Sequence, residues 1–115
     1  MTAAEYRALP KAKRLKYRNV PTMYNGVRYD SKKEAEQAKR LDLLIEGGYV
    51  RSWQRQVRYR IVVNGMRVCT YVCDFLVTMA DGEVEVMDVK GFKTPSYNLK
   101  KKLMKAVHGI EIVEV

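Results

Sequence analysis

The stretch Tyr71-Val72-Cys73-Asp74-Phe75-Leu76-Val77-Thr78-Met79-Ala80-Asp81-Gly82-Glu83-Val84-Glu85-Val86-Met87-Asp88-Val89-Lys90 decides how the chain is read. Two alternating, β-branched segments flank a short polar turn, which predicts an antiparallel hairpin. Val84, Val86, Asp88 and Lys90 share one face by the two-residue alternation, so an apolar stripe ends in an acid and a base. In the preceding strand Asp74 interrupts an apolar run, where a half-buried carboxylate is costly unless something pairs with it. The turn sets the register. A three-residue loop Ala80-Asp81-Gly82, with the glycine left-handed, pairs Met79 with Glu83 and brings Asp74 directly opposite Asp88. A two-residue Asp81-Gly82 turn would set Asp74 against Val89 and point the two carboxylates to opposite faces. The three-residue form is expected, because it also keeps Val72, Leu76, Val84 and Val86 on one face.

Residues opposed in this way have Cβ atoms about 5 Å apart, and two bare charges at that range repel by roughly 3 kcal/mol at an effective dielectric of about 20. Lys90 offsets part of the repulsion, and a divalent cation bridging the carboxylates reverses it. The plainer arrangement is an ordinary salt bridge from Lys90 to one aspartate, with the other protonated or solvated.

On the amino-terminal side, a helix is predicted from Lys32 to Glu46, opened by the capping box Ser31-Lys32-Lys33-Glu34 and stopped by Gly47-Gly48. At about 100° per residue, Glu34 points along the arc of Ala38, Leu41 and Ile45, whereas Glu36 lies on the far side with Arg40 and Leu43. Glu34 therefore faces the sheet, as a site acid, as a helix-capping residue, or as both. Before it, Met23 to Tyr29 carries Asn25-Gly26 and reads as a small hairpin. Residues 1–22, with Lys11, Lys13, Arg14, Lys16 and Arg18 among Pro10 and Pro21, read as a basic arm ahead of a single domain over 23–115.

Strands are expected at Gln56 to Val63, Met66 to Met79 and Glu83 to Val89, forming a three-stranded antiparallel meander. A second helix over Ser96 to Val107 follows, with Gly109 after its end, and Ile110 to Val115 closes as a strand. The order α, β, β, β, α, β packs as a mixed α/β (α+β) sheet flanked by helices. Pairing Val63 with Met66 across Asn64-Gly65 sets Gln56 beside Cys73, on the face away from Asp74, unless a bulge intervenes. His108, at the end of the second helix, suits a capping role. Trp53, Tyr59 and Tyr71 suit packing.

The chain has 22 Lys and Arg against 13 Asp and Glu, a net charge of +9, which on 115 residues favours a polyanionic partner. Lysines at 90, 93, 100, 101, 102 and 105 occupy a segment without any acid, while residues 41–89 carry five basic and seven acidic side chains. Cys69 and Cys73, four apart in one strand, are too far separated to bridge. With no apolar run of membrane-spanning length and no signal-peptide core, a reduced cytoplasmic protein is expected.

An acid on the first helix, an acid in the second core strand, then acid-x-Lys in the third, followed by a basic helix and a strand, resembles the PD-(D/E)XK nuclease superfamily. The residues that carry it are Glu34, Asp74 and Asp88-Val89-Lys90. The stretches Tyr29 to Ala35 and Asp88-Val89-Lys90-Gly91 look like those of short phage-encoded members related to Holliday-junction resolvases. Asp stands here in place of the commoner Glu before Val89-Lys90, and Cys73 rather than proline precedes Asp74.

The resemblance implies a restriction-endonuclease-like core in the order αβββαβ and hydrolysis of DNA phosphodiester bonds. It implies Mg²⁺, with Mn²⁺ as a substitute, held by Asp74, Asp88, the carbonyl of Val89 and Glu34. Lys90 would orient or deprotonate the attacking water. Lys16, Arg18, Lys93, Tyr97, Lys100 and Lys101 are the expected DNA contacts, and a homodimer is the state that resolvase members generally adopt. Two other readings remain open: a nucleic-acid-binding protein without catalysis, and an inactive phage protein that keeps the nuclease fold.

Overall fold

The computed structural model describes residues 20–89 and 93–115. Its described residues fall into two compact units divided between Lys39 and Arg40.

In the first unit, β1 (Thr22–Tyr24) and β2 (Val27–Tyr29) form the hairpin expected around Asn25-Gly26, with Tyr24 paired to Val27 and both turn residues at positive φ. Helix α1 (Lys32–Glu46) begins there, where the Ser31 hydroxyl accepts the Glu34 amide at 3.0 Å. That bond is one half of the capping box. Ala35 and Ala38 are buried, Glu34 is half-buried and Glu36 is exposed, as the helical phase requires.

The second unit is mixed α+β. Its main sheet has the strand order β3 (Val50–Arg55), β6 (Phe75–Met79), β7 (Val84–Asp88), β8 (Ile112–Glu114). The first three strands run antiparallel and β8 lies parallel to β7. A separate two-stranded ribbon, β4 (Arg58–Val63) and β5 (Met66–Val72), is inserted between β3 and β6. Helix α2 (Pro95–Leu103) continues into a π-helical turn over Met104–His108 and stops at Gly109, whose φ of 67° is the left-handed conformation that glycine adopts without a Cβ penalty. Its N-cap is Thr94, whose side chain accepts the Tyr97 amide at 3.1 Å.

Two expectations about the strands need correction. Val50–Arg55 is a strand that the alternation did not reveal, because it is an edge strand with only Val50 buried; polar residues are tolerated on its solvent side. The expected Met66 to Met79 strand breaks at Cys73-Asp74, so the three-stranded meander does not form, and Gln56 to Val63 contributes to the ribbon instead of the main sheet.

The ribbon and the main sheet nonetheless share one pairing frame. Arg55 pairs with Phe75 and Arg58 with Val72; between them the Gln56 amide donates to the Asp74 carbonyl (3.1 Å) and the Cys73 amide to the Val57 carbonyl (3.0 Å). The kink falls at Gln56, whose φ is 53°. Beyond it the ribbon packs through Ile61, Tyr71 and Cys73 into a core with Val86, Tyr97, Met104 and Ile112. Phe75 instead meets Trp53 edge-on, with centroids 5.4 Å apart, and the Trp53 indole N–H donates to Asp42 of α1 at 2.9 Å. His108 ties the end of the π turn to the ribbon through a 2.8 Å contact between its Nε2 and the Arg60 carbonyl, beside the Tyr59 ring. Both cysteines are free thiols. Among the described residues no helix is long and apolar enough to cross a membrane.

Candidate functional site

The hairpin between β6 and β7 has the three-residue turn. The Met79 amide donates to the Glu83 carbonyl at 2.7 Å, Asp81 Oδ1 accepts the Glu83 amide at 2.9 Å, and Gly82 stands at φ 91°. The ladder then pairs Thr78 with Val84, Leu76 with Val86 and Phe75 with Met87. One step further along the same register, Asp74 falls opposite Asp88.

Asp74 lies where the chain leaves β6 for the ribbon. Its Oδ2 accepts the Val89 amide at 2.8 Å, which fixes the carboxylate across the strand end. Asp88, at the end of β7, is 1% exposed. Its Oδ2 accepts the Tyr71 hydroxyl in a short, 2.6 Å hydrogen bond. Burial and then this bond push the Tyr71 hydroxyl well above the ordinary tyrosine range. Both aspartates also act on shared neighbours. The Cys73 thiol is raised mainly by burial, with Asp88 and Asp74 adding to it, and the Tyr97 hydroxyl is raised by burial, by its bond to Glu114, and by the charges of Asp88 and Asp74.

The parallel pairing of β7 with β8 sets Asp88 beside Glu114. Glu114 collects three donors: the Tyr97 hydroxyl at 2.8 Å, Lys93 at 3.0 Å and Lys101 at 3.0 Å. Tyr97 and Lys101, one helical turn apart on α2, are thus both directed at an internal carboxylate, and Lys93 joins them there. A cleft lined by Asn98, Lys101, Lys102, Lys105, Glu111 and Ile112 runs along the same helix and β8, and neither aspartate lines it.

The three donors hold the Glu114 carboxyl down to about 2, with Lys93 contributing most, then Lys101 and Tyr97. A lowered acid contributes stability that is present above the ordinary glutamate pKa of about 4.3 and is lost as pH falls below it. Replacing Glu114 by Gln is therefore expected to flatten the acid limb of stability between pH 4.5 and about 2. Urea unfolding midpoints across that range check this, and an acid limb as steep as in the wild type contradicts the assignment.

Of the other candidate residues, Glu34 belongs to the first compact unit, while the aspartates, Val89 and Glu114 belong to the second. Lys100 is half-buried on α2. Lys90, Lys16 and Arg18 lie outside the described residues. Sequence reasoning missed Tyr71 and Glu114. Tyr71 reaches Asp88 only because the ribbon folds over, and Glu114 neighbours it only through a parallel pairing that no turn specifies. Gln56 takes the exception that a bulge allows: the ribbon's register shifts by one residue between Ile61 and Val62, so Gln56 meets Asp74 rather than Cys73.

The carboxylates of Asp74 and Asp88 offer oxygen donors, which suit a hard cation such as Mg²⁺. Among the described residues no group of three or more His, Cys, Asp or Glu side chains is placed to hold a metal ion. A pair of carboxylates fits Mg²⁺, which takes one or two and keeps several waters. No curated protein and no solved structure matches the chain. Residues 14–111 match the family described as Protein of unknown function (DUF1064), and the chain belongs to that family.

Proposed function

We propose that this protein is a Mg²⁺-dependent DNA endonuclease of the PD-(D/E)XK type. What supports it most is the register of β6 and β7, which continued one step beyond Phe75–Met87 sets Asp74 opposite Asp88, at the end of a sheet whose elements follow the order α, β, β, β, α, β once the ribbon is set aside. Two carboxylates brought together at a strand end call for a compensating cation or a shared proton, and this reading takes the cation.

In this reading Asp74, Asp88 and the Val89 carbonyl would hold the ion; Glu34, which the resemblance also implies, belongs to the other compact unit. The ion, when bound, stabilises charge on the phosphoryl oxygens and acidifies a water. The Val89 amide aims the Asp74 carboxylate, and the Tyr71 hydroxyl aims that of Asp88. Lys90, two residues after Asp88, orients the attacking water. The net charge of +9 favours the polyanionic substrate.

Labelled linear, branched and single-stranded DNA, incubated with Mg²⁺ or Mn²⁺ and either the wild type or the Lys90→Ala variant, tests the reading. Cleavage by the wild type that Lys90→Ala loses by a factor of roughly 10² or more is expected, the range of a positioned proton-transfer group. Equal cleavage by both removes Lys90 from the site. If neither cuts any substrate, the reading fails and a binding protein takes its place.

A further inference from the structure

We infer that the outer face of the β4–β5 ribbon is a docking surface for double-stranded DNA, read through Arg58, Arg60 and Arg67. From Gln54 to Cys73 the chain holds Arg55, Arg58, Arg60 and Arg67 and no acid. The ribbon has two faces. Tyr59 and Ile61, paired with Tyr71 and Cys69, face the core. Arg58 and Arg60 alternate with them and are exposed, as are Val62 and Val72.

The register shift places the third arginine. In an unbroken ladder Arg67 would oppose Val63, on the core-facing side. The extra residue, Val68, lets Arg67 pair with Val62 instead and so join Arg58 and Arg60. Three like charges on one narrow face repel, and the fold assembles them by means of a bulge.

These arginines are also unengaged. Lys93, Lys101 and Lys105 each bind a glutamate of the same molecule, and Arg51 binds the Ala80 carbonyl. The side chains of Arg58, Arg60 and Arg67 make no hydrogen bond or ion pair with the described residues. Guanidinium groups that are exposed, clustered and unneutralised fit phosphate. A second copy of the chain would bring the same positive face against itself.

Shape selects the duplex. A two-stranded ribbon enters the major groove of B-DNA, about 12 Å wide, whereas the deep and narrow major groove of A-form RNA excludes it. The four steps from Arg58 to Val62 span roughly 14 Å, enough to follow several base pairs, and the exposed valines Val62 and Val72 on the same face suit thymine methyl groups. The ribbon leaves the sheet at Asp74 itself, so DNA held there is tethered to the chain beside the two aspartates. The inference rests on the DNA half of the proposed function and not on its hydrolytic half.

Fluorescence anisotropy of a labelled duplex of about 20 base pairs, with EDTA present to suppress cleavage, separates the two halves over about 50 to 200 mM salt. Replacing Arg58, Arg60 and Arg67 together by Gln is expected to make the log–log salt slope shallower by about 2.7, at about 0.9 for each phosphate no longer neutralised. Each single Arg→Gln variant should give about a third of that change, a result that a folding defect in the triple variant leaves readable. Replacing Lys32, Lys39 and Arg40 by Gln removes the same charge from exposed positions of α1 and should leave the slope near that of the wild type. An equally shallow slope in that control, an unchanged slope in the ribbon variants, or tighter binding to duplex RNA or single strands each overturns the inference. If duplex binding follows the ribbon but no DNA is ever cut with metal present, the hydrolytic reading fails and this one stands.

Discussion

Asp74→Asn is expected to abolish both the response to Mg²⁺ and DNA cleavage while leaving the metal-free protein at least as stable as the wild type. The amide of asparagine keeps an oxygen that accepts the Val89 amide, so the bond that fixes this side chain survives the exchange. What disappears is the negative charge that the register sets opposite Asp88, and two such charges repel by on the order of 3 kcal/mol. An ordinary structural aspartate behaves in the opposite way, because neutralising it removes an attraction. With a ligand at about 100 times its dissociation constant, binding to the folded state alone adds about 2.7 kcal/mol, a rise in unfolding midpoint that the wild type should show and the variant should lack. Cleavage should fall by at least the roughly 10² that loss of a residue supporting a metal ligand costs, since Asp74 would itself be a ligand. Thermal unfolding with and without Mg²⁺, beside a cleavage assay, reads all three effects. A variant that is destabilised without metal and still stabilised by it would move Asp74 out of the site.

The part of this arrangement that sequence makes legible is the part written in turns and caps. Ala80-Asp81-Gly82 admits few closed geometries, and the one that places Gly82 left-handed also settles which residues of β6 and β7 face each other. Ser31 and Glu34 mark the start of α1 because a short polar side chain satisfies an amide three residues on, a local interaction. The features that escaped are set by tertiary partners. Nothing in Val50 to Arg55 alternates, since an edge strand buries little. The break at Cys73-Asp74 is invisible in an apolar run whose burial alternates through Tyr71, Cys73, Phe75 and Val77 while the packing partners change, from Met104 and Val86 to Trp53. A non-glycine residue at positive φ, Gln56, makes that turn, and only the bulge at Val68 explains why it faces Asp74.

Tyr71 is the residue through which the ribbon and Asp88 depend on each other, and Tyr71→Phe should show this as a stability difference that shrinks with rising pH. At neutral pH the phenylalanine fills the same apolar space but takes the hydroxyl away from Asp88 Oδ2, and a hydrogen bond to a charged group contributes about 1.5–3 kcal/mol. The wild type is then the more stable. Burial, the bond to Asp88 and the neighbouring charges of Asp88, Cys73 and Tyr97 all raise the Tyr71 pKa above that of the unfolded chain. A raised pKa contributes stability that is intact below the unfolded value of about 10 and is lost as pH climbs beyond it, by about 1.4 kcal/mol per pH unit for one proton. The variant has no hydroxyl to ionise and is spared that loss. Lysine deprotonation is common to both proteins and cancels in the comparison. The two stability curves should therefore converge above about pH 10 and meet within one to two units. Urea unfolding of both proteins from neutral pH into that range tests it: a difference that stays constant or widens means that the hydroxyl bears no special relation to Asp88, and that the ribbon is held by packing alone.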